Sequence, residues 1–130
     1  MTGRRPKLRQ KTTPDPGRIK AERRGRLSEY WAALYLLLKG YRIVALRYRT
    51  RAGEVDLIAR KGDLIVFVEV KARRDEALAV DAVGALTQAR IRSASDYWLS
   101  RHADSHRLSM RYDIVAVLPR RWPRHFIDAF

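Results

Sequence analysis

The apolar positions divide the chain into stretches with two different periods. Between about Ile19 and Lys39, Leu27, Trp31, Leu34, Tyr35 and Leu38 recur at spacings of three and four. That is the repeat of one helix face, and it predicts a helix with these residues in the core. Gly40 follows as a plausible C-cap, and Lys39 suits the negative end of the helix. "YRIVALRYR" then reads as a strand over 41–49. "GEVDLIARKGDLIVFVEVKAR", 53–73, reads as two further strands joined by a tight turn. Within it "LIVFVEVKA" is almost continuously apolar, the pattern of a strand buried on both faces. "LAVDAVGALTQARIRSASDYWLSRH" is helical, with Val80, Val83, Leu86, Ile91, Tyr97 and Leu99 as candidate core and Gly84 as a weak point. "LSMRYDIVAVL" is a fourth strand, and "HFIDAF" a short edge strand or tail. The predicted fold is α/β, in the order α-β-β-β-α-β-β. A mixed sheet of about four or five strands is flanked by helices. The crossover helix should set the fourth strand parallel to its partner.

Four charged residues interrupt the apolar hairpin: Glu54, Asp56, Glu69 and Lys71. Side chains alternate faces along a strand, so Glu54 shares a face with Asp56, and Glu69 with Lys71. The turn decides whether the two pairs meet. Gly62-Asp63 suits a two-residue type II′ loop, with glycine at the first central position. Asp56 then lies opposite Glu69, and Glu54 opposite Lys71. A four-residue loop keeps that register, whereas a three-residue loop breaks it. Facing carboxylates repel and raise a pKa, and a divalent cation removes the conflict. Mg²⁺ or Mn²⁺ held by Asp56, Glu69 and the Val70 carbonyl would acidify a bound water and neutralise charge on a phosphodiester. Lys71 would orient the attacking water or stabilise the transition state. Glu54 would hold Lys71 or support the site from behind. Glu54 with Lys71 also fits an ordinary cross-strand ion pair. Asp56 and Glu69 together fit that plain reading less well, because a charge in a doubly buried strand is costly without a partner.

Charge sharpens this picture. The chain has 130 residues, with 28 Lys plus Arg against 14 Asp plus Glu, a net charge of +14. An arginine-rich proteome would account for that; a polyanionic partner accounts for it better, since clustered cations release counterions from phosphates. Arg49, Arg51, Arg73 and Arg90 are candidate nucleic-acid contacts. Residues 1–17 carry three of the five prolines and many basic residues, and read as a disordered basic tail before a single domain over 18–130. The absence of cysteine excludes a disulfide framework and thiolate metal sites. The longest apolar run, Trp31 to Leu38, is too short to span a bilayer, and no secretory signal is visible. The expectation is a cytoplasmic protein that does not engage a membrane.

The constellation Asp56…Glu69-Val70-Lys71 resembles the D…(D/E)xK signature of restriction-endonuclease-like folds. With "EYWAALYLLLKGYRIVALRYRTRAGEVDLIA", "LIVFVEVKAR", "RYDIVAVL" and "IDAF", the chain over about 22–130 resembles the YraN-like uncharacterised protein family (UPF0102). That resemblance implies a three-layer restriction-endonuclease-like fold similar to Holliday-junction resolvases. It also implies a first-helix glutamate in the metal cluster, at Glu29. Read from the residues alone, Glu29 fits a solvent-facing helix position better. Family members often carry a lysine near Thr87, so phosphate support would pass to Gln88, Arg90 or Arg92.

The expected activity is metal-dependent hydrolysis of phosphodiester bonds in DNA, branched or repair intermediates included. The alternative is a nucleic-acid-binding module that keeps the fold without turnover, and a third class is a protein–protein adaptor. A homodimer is compatible with a nuclease that cuts two strands. His102 and His106 have helical metal spacing but fit a solvated loop better. Trp31 and Trp98 fall in amphipathic helices and read as core. "PRRWPRH" offers either a capped strand connection or a stacking surface for an unpaired base.

Overall fold

The computed structural model describes residues 15–130. Residues 1–14, assigned above to a basic tail, lie outside the described residues. The first helix, α1 (Pro16–Leu38), begins three residues earlier than its apolar repeat suggested, so Pro16 and Gly17 belong to the helix. Asp15 is the N-cap, its Oδ1 accepting the Gly17 N–H at 3.1 Å, and Pro16 takes the first helical position. At the other end Gly40 (φ 92°) reverses the chain. Tyr41 N–H donates to the Leu36 carbonyl and Gly40 N–H to the Leu37 carbonyl, each at 3.0 Å, a Schellman closure.

Four strands follow the predicted order: β1 (Arg42–Arg49), β2 (Glu54–Lys61), β3 (Leu64–Ala72) and, after the helices, β4 (Ser109–Val117). A short β5 (Arg124–Phe126) completes a five-stranded sheet in the order β1-β2-β3-β4-β5. All neighbours are antiparallel except β3 and β4, which the helical crossover makes parallel. The β2–β3 register follows the two-residue turn, from Lys61 opposite Leu64 to Leu57 opposite Val68. Gly62 has φ 60°, and Asp63 is not among the positive-φ residues. That excludes type I′ and agrees with type II′.

The crossover holds two helices where the sequence suggested one: α2 (Glu76–Asp81) and α3 (Ala85–Ser100). The chain breaks at Gly84, which is extended and serves as the N-cap of α3. Asp75 caps α2 through its carboxylate. The break shifts the helical phase, so Leu86 is 77% exposed and Tyr97 is also exposed. Ile91, Ala94, Ser95 and Trp98 form the buried face of α3 instead.

The helices cover opposite faces of the sheet, making three layers. On one face Ala32, Ala33 and Leu36 of α1 pack on Leu57, Ala59, Val66, Val68 and Val115. On the other, Ile91, Ala94 and Trp98 pack on Val55, Ile58, Ile65 and Phe67. The apolar stripe that predicted α1 is therefore not the buried stripe. Leu27 is 67% exposed and Leu38 66%, Leu34 is exposed too, and Trp31 and Tyr35 are half-buried. Alanines let the helix lie close against a sheet of branched side chains, which the bulkier leucines could not do. Among the described residues, no helix is long and apolar enough to cross a membrane.

Candidate active site

The hairpin delivers its charges to one place. A cleft of about 460 Å³ is lined by Glu54, Asp56, Glu69, Val70, Lys71 and Arg73 from the strands. Ala21, Arg24, Gly25, Ser28 and Glu29 of α1 form its opposite wall. It opens where β2 and β3 part beyond the last paired positions, Leu57 and Val68. Strand geometry breaks at this level. Val55 and Ile58 of β2 both face α3 although they are three residues apart, and so do Ala45 and Tyr48 of β1. Between the latter pair Arg47 has φ 51°, a left-handed strand residue opposite Asp56. Such an outlier costs on the order of 1 kcal/mol or more and persists only where neighbours hold it.

The break turns two side chains. The Asp56 carboxylate replaces the missing ladder contact, its Oδ2 accepting the Val70 N–H at 2.8 Å. Arg47 reaches across to α1 and donates from Nε to Glu29 Oε2 at 2.6 Å. Lys71 Nζ lies 3.4 Å from Glu69 Oε1. Burial raises the pKa of Asp56, and burial together with the Asp56 charge pushes Glu69 up to about 8. The Val70 N–H opposes the rise at Asp56, whereas the Asp56 charge adds to the rise at Glu69. Glu29 is also raised by burial, against the opposing hydrogen bond from Arg47. Among the described residues no set of three His, Cys, Asp or Glu side chains gathers tightly enough to hold a metal. A cation at this site would rest on Asp56, Glu69, a backbone carbonyl and water. Two carboxyls whose charged forms are disfavoured by desolvation suit such a cation, which would offset both.

Glu29, Glu54, Asp56, Glu69, Val70, Lys71 and Arg73 thus meet in one cleft. Gln88 and Arg90 do not line it. The Gln88 amide donates to the Val83 carbonyl at 3.1 Å, bracing the α2–α3 junction. Arg90 contributes a backbone seat for Gly53: a Cβ there would stand 1.9 Å from the Arg90 carbonyl oxygen, so only glycine fits. Arg49 and Arg51 border a separate hollow with Tyr97, on a turn tied by Thr50 Oγ1. Glu54 is exposed and 3.8 Å from Arg49 rather than paired with Lys71.

Two features escaped the sequence reading. Arg47 had no local signal, because its partner lies on another element. The second is a buried polar lock around Asp113, which is 0% exposed. Arg111 grips it with Nε to Oδ1 at 2.8 Å and Nη2 to Oδ2 at 2.7 Å. His125 Nε2 lies 2.6 Å from Oδ2, and the Asp128 N–H donates to Oδ1 at 2.9 Å. Lys39 Nζ stands 2.7 Å from His125 Nδ1; the ammonium can only donate, so Nε2–H of His125 donates to Asp113. The "RYD" and "IDAF" stretches thereby contribute Arg111, Asp113 and Asp128 to one clasp. His102 stacks on Trp98 and bonds its carbonyl.

The model of "Uncharacterised protein family UPF0102" matches residues 28–117, most of the chain. This protein belongs to the UPF0102 family. It is 71% identical over 113 residues to UPF0102 proteins of Rhizobium johnstonii and Agrobacterium fabrum, covering 87% of this chain and 93% of each relative. It is also 65% identical over 117 residues to one of Rhizobium meliloti, covering 90% and 96%. The UPF0102 match spans the cleft residues from Ser28 through Arg73 and Arg111 and Asp113 of the clasp, while Ala21, Arg24, Gly25, His125, Asp128 and the Trp122 loop lie outside it.

Proposed function

We propose that this protein is a metal-dependent endonuclease that hydrolyses phosphodiester bonds in DNA, on a restriction-endonuclease-like fold. The observation that carries the reading is the Asp56–Glu69 pair, a half-buried and a buried carboxyl that line one arginine-walled cleft beside Lys71, both with raised pKa values. A structural ion pair would neutralise each carboxylate separately; this pair instead leaves one charge too many for its burial.

Asp56, Glu69 and the Val70 carbonyl would hold Mg²⁺ or Mn²⁺. Such an ion supplies an acidified water and charge neutralisation at phosphorus. The chain does the rest. The Val70 N–H fixes the Asp56 carboxylate, so its free lone pairs point in a set direction. Lys71 places a positive charge beside Glu69, where it can hold the attacking water and oppose charge growing on the non-bridging oxygens. Arg24 and Arg73 on the cleft walls carry phosphates of the flanking backbone. Glu29, held by Arg47, borders the site and can exchange that partner for the cluster.

The test is a cleavage screen on single-stranded, duplex, flapped and four-way DNA with Mg²⁺ and with Mn²⁺, using Lys71→Ala as control. Metal-dependent cleavage lost in Lys71→Ala is the expected result. Salt-dependent binding with no cleavage under either metal would replace the nuclease by a non-catalytic nucleic-acid-binding module.

A further inference from the structure

The cleft does not end at Arg73. A second hollow shares Ala72 and Arg73 with it and adds Arg74, Leu118 and Pro119. A third shares Arg74, Leu118 and Pro119 and ends at Arg121. Together they trace a path across the C-terminal ends of the parallel strands β3 and β4, the end of an α/β sheet where ligands gather. Trp122 stands at the far end of this path. Arg120 (φ 58°) turns the loop outward, and buried Pro123 anchors it just beyond. The Trp122 ring stacks on Trp31 of α1 at 5.3 Å and 26°, with Tyr35 at 6.3 Å. Trp122 nonetheless remains 64% exposed. On α1, Trp31 lies one turn beyond Ser28, which lines the catalytic cleft.

The arginines along the path outnumber its acids. Arg73, Arg74, Arg120 and Arg121 are exposed and have no carboxylate within ion-pair reach among the described residues. The acids of the third hollow are already engaged: Asp75 caps α2, and Glu76 lies 3.6 Å from Arg124. An aromatic ring braced from behind, open in front and preceded in the chain by the exposed Arg120 and Arg121 has the composition of a stacking platform for single-stranded nucleic acid. The paired bases inside a duplex would offer the ring no open base face.

We infer that Trp122 is a binding subsite for an unpaired nucleobase, reached along the Arg73–Arg74–Arg121 path, so that the preferred substrate carries a single-stranded segment beside the scissile bond. This rests on the nuclease reading for the position of that bond but not for the binding itself. The experiment therefore measures binding in chelator, where no cleavage occurs. Fluorescence anisotropy of the full-length protein with a labelled oligo-dT strand and with a blunt duplex of matched length compares wild type, Trp122→Ala, Trp122→Phe and Arg121→Ala. Trp122→Ala should weaken strand binding about tenfold while leaving duplex binding within about twofold. Trp122→Phe should keep most of the affinity. Arg121→Ala should weaken both ligands and lower the salt slope by about one. Quenching of tryptophan emission by oligo-dT, reduced in Trp122→Phe, gives a second readout if Trp122→Ala fails to fold. Unchanged strand binding in Trp122→Ala, or equal loss for strand and duplex, would overturn the subsite. Trp122-dependent strand preference in a protein that never cleaves would keep the subsite and refute the nuclease. Cleavage without that preference would do the reverse.

Discussion

Two buried acidic sites lie on the same sheet and behave in opposite ways. Asp113 is sealed, and its oxygens are filled by Arg111, His125 and the Asp128 N–H. Burial alone would raise its pKa, but those hydrogen bonds outweigh it and hold the carboxyl below the ordinary range. Asp56, half-buried, and Glu69, buried, line one cleft, and both are raised. The first site is complete within the chain. The second is short of one positive charge. Completeness marks a structural clasp, and raised carboxyls lining an open cleft are what the proposed metal site requires.

Removing a member of the deficient site should cost function rather than fold. Asp56→Ala should abolish metal-dependent cleavage and the heat of Mn²⁺ binding seen by calorimetry, while the folded state remains at least as stable at pH 8. Identical heats from both proteins would remove the metal from this site. The complete site should respond the other way. Asp113→Ala leaves Arg111 without its carboxylate and should lower stability by about 3–5 kcal/mol in urea unfolding. A loss below about 1 kcal/mol would show that the clasp is dispensable.

Their pH responses should have opposite signs. A raised carboxyl pKa means that the folded state binds the extra proton, so stability present below about pH 4.5 is lost as pH rises towards the Glu69 value of about 8. Stability of the metal-free protein should therefore fall by about 2–4 kcal/mol between pH 5 and pH 8. The fall should be reduced by Mn²⁺ and absent in Glu69→Gln. Asp113, with a depressed pKa, contributes stability above the ordinary aspartate range and loses it only in acid, as pH drops through its folded value. A flat profile for wild type from pH 5 to pH 8 would contradict the raised Glu69 carboxyl. At the small end, Arg49→Ala removes an exposed contact to Glu54 at 3.8 Å and should change stability by no more than about 0.5 kcal/mol in the same unfolding assay. A larger loss would promote Glu54 from a surface residue to a member of the site.

Much of this was readable in the one-dimensional pattern. Glycine at 62 followed by aspartate set a two-residue turn, and that turn dictated the register from Lys61 opposite Leu64 to Leu57 opposite Val68. Gly40 closed α1, and a helical crossover made β3 and β4 parallel. Each of these follows from short-range chemistry, such as the left-handed conformation open to glycine or the strict two-residue period of a strand. The start of α1 was equally local: Asp15-Pro16 is a cap followed by a first-turn proline, and the tail composition masked it.

Other features exist only in three dimensions. The leucine stripe of α1 gave way to Ala32, Ala33 and Leu36 because the distance to the sheet, not the helix itself, selects the buried face. Arg47 meets Glu29 because two strands change face at the same level, and Gly53 is glycine because the α3 backbone presses on it. The Asp113 clasp joins residues from the end of α1, β4, β5 and the C-terminal turn. No window of sequence contains these contacts. The chain by itself determined the hairpin and its carboxylates; only the packing of distant segments decided which charges were left incomplete, because a charge is satisfied by whatever folds against it.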